Sequence, residues 1–261
     1  MAVLDQILDG IRAGLPDRRV HRSALEARLP DLVAAPDFTA ALRRSTVALI
    51  AEVKRRSPSA GNINAALDPV DLAAAYASGG AAAISVLTEG PHFGGSLDDL
   101  QAVCGSLPVP VLRKDFILDE IQLLEARVAG ASAALLIVRA LTDTELRRLD
   151  AFAASIGLAT LVEAHDRREL DLALTAGCQV VGVNARDLDD FSMHRTAAWE
   201  LLATIPADRI AVAESGMQDT ADVVVAADYG ADAVLIGGAL ASAGDPLAGA
   251  RSMSGVVRRG R

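Results

Sequence analysis

Charged side chains recur in this chain where burial makes them costly, at the ends of short apolar runs. Glu52-Val53-Lys54 closes one such run, Arg113-Lys114-Asp115 another, and Val162-Glu163 a third. Asn184-Ala185-Arg186, Glu214-Ser215-Gly216 and Gly237-Gly238 close three more. A charge inside or just past a buried run is unfavourable by several kcal/mol unless it is paired or hydrogen-bonded. Taken singly, each could be an ordinary solvated loop charge. Ammonium and carboxylate groups gathered at one depth are another matter, because together they can move protons and hold an anionic substrate. The question is whether the chain gathers them.

The elements that must position these residues follow from a repeated phrase. Gly80-Ala81-Ala82-Ala83-Ile84-Ser85-Val86-Leu87 is echoed from Gly130, Gly177 and Gly230, roughly 50 residues apart. In each copy a glycine past a helix end supplies a left-handed cap, and a buried apolar strand follows. Between these copies lie four further apolar runs, at 47–53, 109–112, 158–162 and 210–213. The sum is eight strands at the pitch of one βα unit each. Asp68-Pro69 and Asp245-Pro246 read as an N-cap followed by proline at the first helical position, and Thr142-Asp143-Thr144-Glu145 has capping-box spacing. The fold expected is α/β, a single (β/α)8 TIM barrel over residues 46–250. An N-terminal helical extension of one or two helices occupies 1–45, and 251–261 is expected to be a flexible tail. In such a barrel the catalytic groups sit at the C-terminal ends of the strands. Five of the eight strands end there in ionisable groups, so that rim is expected to be a polar active site.

Composition agrees and excludes some functions. Of 261 residues 51% are hydrophobic but only 3% aromatic, which suits Ala/Val/Leu/Ile strands covered by Ala-rich helices. A net charge of −9 argues against nucleic-acid binding, though a small anion can still find a locally positive pocket. Cys104 and Cys178 are too few for a disulfide scaffold, and the four histidines show no metal-ligand spacing. No apolar run is long enough to span a membrane, and Asp5 and Asp9 interrupt the apolar face of the first helix, so a cytoplasmic protein is expected. Gly216 and Gly237-Gly238 follow strands seven and eight. There these barrels often hold a phosphate on backbone N–H groups, although glycines can also merely turn the chain. Arg56 and Ser57, after strand one, could add a charged arm and a hydroxyl from across the rim.

These motifs reach a known family. Glu52-Val53-Lys54-Arg55-Arg56-Ser57-Pro58-Ser59-Ala60-Gly61 resembles the first-strand signature of indole-3-glycerol-phosphate synthases. So do Leu87-Thr88-Glu89 with Phe93-Gly94-Gly95-Ser96, and Leu112-Arg113-Lys114-Asp115-Phe116-Ile117. Leu161-Val162-Glu163-Ala164-His165, Gly182-Val183-Asn184-Ala185-Arg186-Asp187-Leu188 and Ala213-Glu214-Ser215-Gly216 complete the set, in order, across roughly 47–250. A lone Lys-Asp-Phe would mean little, whereas six ordered motifs on successive strand ends are specific.

The resemblance implies an enzyme of tryptophan biosynthesis, a carboxy-lyase acting on 1-(2-carboxyphenylamino)-1-deoxyribulose 5-phosphate. It assigns Lys114 to protonate the ketone oxygen during ring closure. Glu163 and the Glu52/Lys54 pair become candidates for the acid and base of the dehydration, with the division between them open. Asn184, Arg186 and Ser215 would orient the substrate, and Glu214 would be a charged support. Ser57, Gly216, Gly237 and Gly238 would bind phosphate, with Arg56 where many relatives carry Lys and Gly238 where they often carry Ser, Glu or Thr. Phe93 and Phe116 could flank the aromatic ring or simply pack the core. No cofactor and no metal is expected, since every step is proton transfer and electron flow within the substrate. The partner is this small molecule, without nucleic acid or membrane. Monomer or weak dimer is left open, as is general or specialised indole metabolism. Another phosphosugar enzyme on the same barrel would need its own acid–base pair, and a catalytically silent barrel should have lost a rim charge.

Overall fold

The computed structural model describes residues 3–57, 61–62 and 68–260, with the side chains of Ser57 and Asn62 outside the described set. Eight parallel strands close into a barrel: β1 Ala48–Val53, β2 Ala83–Leu87, β3 Val111–Lys114, β4 Ala133–Ile137, β5 Ala159–Ala164, β6 Val180–Asn184, β7 Ile210–Glu214 and β8 Ala233–Ile236. Each pairs with its neighbour in sequence, and β8 returns to β1 through Ala48 opposite Ala233. A two-stranded ribbon, Arg56–Ser57 with Gly61–Asn62, rises from the loop after β1. The helices are α1 Val3–Arg19, α2 Arg22–Glu26, α3 Phe38–Leu42, α4 Pro69–Ser78, α5 Leu97–Ser106 and α6 Glu120–Val128. They continue as α7 Asp143–Ser155, α8 Arg167–Ala176, α9 Arg195–Leu202, α10 Thr220–Asp228, α11 Gly238–Ala241 and α12 Pro246–Met253. No helix among the described residues is long and apolar enough to cross a membrane.

The repeated phrase has a physical basis. After α4, α6, α8 and α10 the amide following the glycine bonds a carbonyl five residues back: Ala81 to Tyr76, Ala131 to Ala126, Cys178 to Ala173 and Ala231 to Ala226. Gly80, Gly130, Gly177 and Gly230 all take the positive φ that this cap requires. At the other helix ends Asp68 and Asp245 cap α4 and α12, and Thr142 with Glu145 forms the capping box of α7.

Several strands run further than their apolar runs. β3 continues through Lys114, β5 through Glu163 and Ala164, and β7 through Glu214. Backbone pairing persists there while the inward side chains turn polar, so a count of apolar residues stops too soon. The period of two sorts every strand. Leu49, Val86, Val162 and Ala213 face the helices, whereas Ile50, Leu112, Leu161 and Val212 fill the barrel. At its floor Phe38 and Leu42 of α3 join the apolar cluster that holds Ala48, Ala83, Ala133 and Ala233, the first residues of four strands.

The N-terminal extension holds three helices and a 3₁₀ turn, more than the one or two expected. It descends the outside of the barrel along α6. Arg18 pairs with Glu125, and Arg19 with Asp119 at the start of α6, while Arg127 near its end donates to the Val33 carbonyl. The C-terminal segment expected to be a flexible tail makes definite contacts. Residues 251–253 belong to α12, the Val47 amide donates to Val256, and the Arg258 amide donates to Ser45. Arg258 also pairs with buried Asp232 at 2.6 Å. Backbone just before β1, at the N-terminal end of the barrel, supplies the reason, since it offers hydrogen-bond partners to an arriving segment.

One strand-end charge has a purely architectural task. Arg113 is fully buried and points out of the barrel toward α6. It donates to Thr88 Oγ1 (3.0 Å), to the Gln122 carbonyl (2.5 Å), to Asp115 (2.8 Å) and to Glu125 (3.2 Å). Arg113→Met would leave Asp115 buried without its cation. The expected loss is about 3–5 kcal/mol of stability, seen as a lower urea midpoint.

Candidate active site

At the C-terminal mouth of the barrel the inward positions of β1, β3, β5, β6 and β7 are Glu52, Lys114, Glu163, Asn184 and Glu214. They line one cavity together with Lys54, Arg186, Ser215, Gly216, Gly237 and Gly238. The structure therefore brings together eleven of the thirteen residues singled out in the sequence. Arg56 does not line it. Its guanidinium donates to the carbonyls of Pro91 and His92 in the loop after β2, which satisfy it there. The Ser57 side chain lies outside the described residues.

Lys114 occupies the centre of the charged group. Its ammonium is 3.3 Å from Glu163 Oε2 and 3.4 Å from Glu214 Oε2. Burial would strip its proton, but Glu163, Glu214 and Glu52 outweigh that and raise its pKa, so it is a cation. Lys54 closes a second pair with Glu52 at 2.9 Å. Burial raises the Glu52 carboxyl, yet Lys54 and Lys114 bring the net shift below the usual carboxylate range. Glu163 and Glu214 are close enough to compete for charge. Burial acts on both, and repulsion from Glu163 drives the Glu214 pKa upward. Lys114 and His165 instead hold Glu163 low. The site thus separates two neighbouring carboxyls into one that is ionised and one that favours its proton.

Two glycines make room for these carboxylates. A methyl group at Gly237 would lie 2.2 Å from Glu52 Oε1, and one at Gly182 would lie 2.1 Å from Glu214 Oε1. Gly237 therefore does more than turn the chain, because it keeps the wall open beside Glu52. Ser215 (φ 64°) and Phe191 (φ 61°) are the non-glycine residues with positive φ among those described, and both line the cavity. Such backbone costs about 1–3 kcal/mol and persists where the surroundings fix it. Asn184 Oδ1 accepts from the Arg186 amide at 3.0 Å, and Arg186 in turn donates to the Phe191 carbonyl at 3.3 Å.

Much of the remaining lining is apolar. Phe93 and Phe116 tilt together with ring centres 6.1 Å apart, and Leu188, Phe191, Ile137 and Leu235 also line the cavity. Phe93 and Phe116 thus face the cavity, and Phe116 also packs into the core of the barrel. Cations, paired carboxyls, aromatic lining from Phe93 and Phe116, and glycine-rich backbone at the ends of β7 and β8 suit an aromatic substrate that carries anionic groups.

Sequence reasoning missed the partners behind Glu163. His165 lies 3.3 Å from Glu163 Oε1 and 3.1 Å from Glu169, which pairs with Arg139 at 2.9 Å. The signal was present, since His165 stands two residues beyond Glu163 on the same strand face and Arg139 follows the end of β4. Leu188 and Phe191 were also missed as lining, because a loop has no period to reveal its inner side. Gly237→Ala should displace Glu52 from Lys54. The expected outcome is a folded protein with a lowered thermal midpoint, and with a mispositioned Glu52 visible in its crystal structure.

Comparison with known proteins agrees with this geometry. The family model described as "Indole-3-glycerol phosphate synthase" matches residues 4–253. A protein of that name from Nocardioides sp. is 48% identical over 98% of this chain and 99% of its own length. Indole-3-glycerol phosphate synthase 1 from Streptomyces coelicolor is 49% identical over 94% of this chain and 92% of its own length. Among solved structures, 3-hexulose-6-phosphate synthase from Salmonella typhimurium aligns with a TM-score of 0.61 at 16% identity. That match covers 80% of this chain and 97% of the other, and it shows the shared barrel alone. The matched family model and two relatives near half identity along nearly all of their length place this chain in the indole-3-glycerol phosphate synthase family.

Proposed function

We propose that the mouth of this barrel closes the indole ring of 1-(2-carboxyphenylamino)-1-deoxyribulose 5-phosphate, releasing carbon dioxide and water to leave indole-3-glycerol phosphate. The carrying observation is the half-buried Lys114 ammonium held between Glu163 and Glu214, with the Lys54–Glu52 pair in the same cavity. A cation fixed in a low-dielectric site stabilises negative charge as it develops on a carbonyl oxygen. Lys114 protonates the ketone oxygen while the carboxylate-bearing ring carbon attacks the ketone carbon. Breaking the bond to the carboxylate carbon releases carbon dioxide and restores the aromatic ring. The former ketone oxygen, now a hydroxyl, leaves as water with a proton from an acid, and a base takes the last proton as the indole forms.

Glu163 is suited to accept that proton because its neighbours keep it ionised. Lys54, hydrogen-bonding distance from Glu52, is placed to supply the acid. Asn184, Arg186 and Ser215 orient the anthranilate and ribulose parts, and Glu214 supports Lys114. The Phe93/Phe116 wall faces the aromatic ring. Backbone N–H groups at Gly216, Gly237 and Gly238 take the phosphate, without the Arg56 guanidinium, which the Pro91 and His92 carbonyls hold. Proton transfer and electron flow within the substrate account for every step, so no cofactor or metal enters this scheme. We read the protein as a cytoplasmic enzyme acting on a small molecule, in keeping with its family.

The test is to mix the purified protein with the carboxyphenylamino-deoxyribulose phosphate and follow indole absorbance and fluorescence. Turnover is expected, with Lys114→Ala and Glu163→Gln each reducing kcat by about 10²–10⁴-fold. A wild type that binds the compound without turnover would point to a silent barrel instead. The phosphate assignment has its own check. Gly238 has open space around it, so Gly238→Ser can add a hydroxyl without a clash. The expected result is KM lower by roughly 2- to 10-fold, and tighter competitive inhibition by inorganic phosphate, with kcat unchanged.

A further inference from the structure

Three buried carboxyl groups, Glu52, Glu163 and Glu214, meet Lys54 and Lys114 at the barrel mouth. Lys114 divides its charge between Glu163 and Glu214, and His165 stands against the other oxygen of Glu163. Its imidazole is only 3% exposed. Nε2 approaches Glu163 Oε1 at 3.3 Å, and neither of these two buried atoms has a better-aligned hydrogen-bond partner. On the other side Nδ1 meets Glu169 Oε2 at 3.1 Å, and the same carboxylate oxygen accepts from the His165 amide at 2.7 Å. Glu169 is itself held by Arg139 at 2.9 Å, and Arg139 reaches Asp187 in the loop after β6 at 3.2 Å. Lys114 of β3 and Glu214 of β7 bound the far side of Glu163.

A neutral imidazole has one N–H and cannot donate to both carboxylates, whereas an imidazolium donates to both. We propose that His165, clamped by Glu169 and Arg139, is a positioning residue that acts as a fixed cation behind Glu163, keeping that carboxylate ionised and turned toward Lys114 and the substrate. The proposal deepens the reading of Glu163 as a proton acceptor and rests on it. The chain from Glu163 through His165, Glu169 and Arg139 to Asp187 alternates in sign, so each charge is held by the next. Burial opposes the His165 cation, but Glu163 and Glu169 prevail and lift its pKa to about 9.

The decisive variant is His165→Gln, which keeps a polar side chain but removes the charge. Losing a cation at this distance shifts a carboxylate by about 1–3 pH units. The acidic limb of the kcat–pH profile should therefore move upward by about one unit or more, so that kcat at a given pH on that limb falls about tenfold, with KM little changed. Glu169→Gln should move the same limb in the same direction by less. A fixed imidazolium also raises the folded-state pKa above the ordinary value near 6.5. Its contribution to stability is present in full below that pH and lost as pH rises through about 9. The gap in thermal midpoint between wild type and His165→Gln should accordingly narrow from pH 7 to pH 10. Nitrogen-15 NMR of the imidazole in the substrate-free wild type should show both ring nitrogens protonated at pH 8. That measurement decides the charge of His165 even if no indole product were ever formed. A neutral imidazole at pH 7 would overturn the proposal, as would a variant that melts earlier while its acidic limb stays in place.

Discussion

Much of this architecture answers to the difficulty of keeping Lys114 charged at the mouth of a closed barrel. An ammonium removed from water is unstable there unless anions surround it, and anions gathered for that purpose repel one another. Glu163 and Glu214 both touch Lys114, and their mutual repulsion leaves one ionised and pushes the other toward its proton. The same difficulty reaches into the backbone. Gly182 and Gly237 leave gaps in the barrel wall that the Glu214 and Glu52 carboxylates fill. The strands continue past their apolar stretches because those inward positions must be held by backbone pairing rather than by a loop.

The fold was largely legible because its determinants are local and repeated. A glycine that takes the left-handed cap followed by a buried strand recurs at Gly80, Gly130, Gly177 and Gly230, and each copy fixes one turn of chain direction. The alternation of strand faces then carries Glu52, Lys114, Glu163 and Glu214 to a common depth, which is why strand ends alone named most of the cavity. What escaped the sequence depends on distant parts of the chain. Arg56 reads as an arm over the cavity until the Pro91 and His92 carbonyls are seen to hold it. Residues 254–259 carry no pattern of their own and are held by distant partners, Ser45 and Val47 just before β1 and the Asp232 carboxylate. None of these partners is close enough in sequence to leave a periodic mark.

Arg113 and Lys114 show how little separates architecture from chemistry on such a scaffold. They are adjacent on β3 and both cationic, Arg113 fully buried and Lys114 half-buried, yet they face opposite sides of the barrel wall. Arg113, whose fork of donors suits several fixed acceptors, ties the strand to α6. Lys114, a compact charge on a flexible stem, is given to the cavity. A shift of register by one residue would exchange their tasks, so the barrel's pairing is as much a part of the site as its side chains.

The way the barrel is closed bears on how it is made. β1 lies between β2 and β8, so the first strand to leave the ribosome waits for the last before both its edges are paired. During that interval its free edge presents unpaired amides and carbonyls to any strand within reach. Contacts so far apart in sequence form late. Val256 and Arg258 then reach the backbone just before β1 from the other end of the chain. The circle of strand ends that carries the charges is thus completed by the last strand to be made.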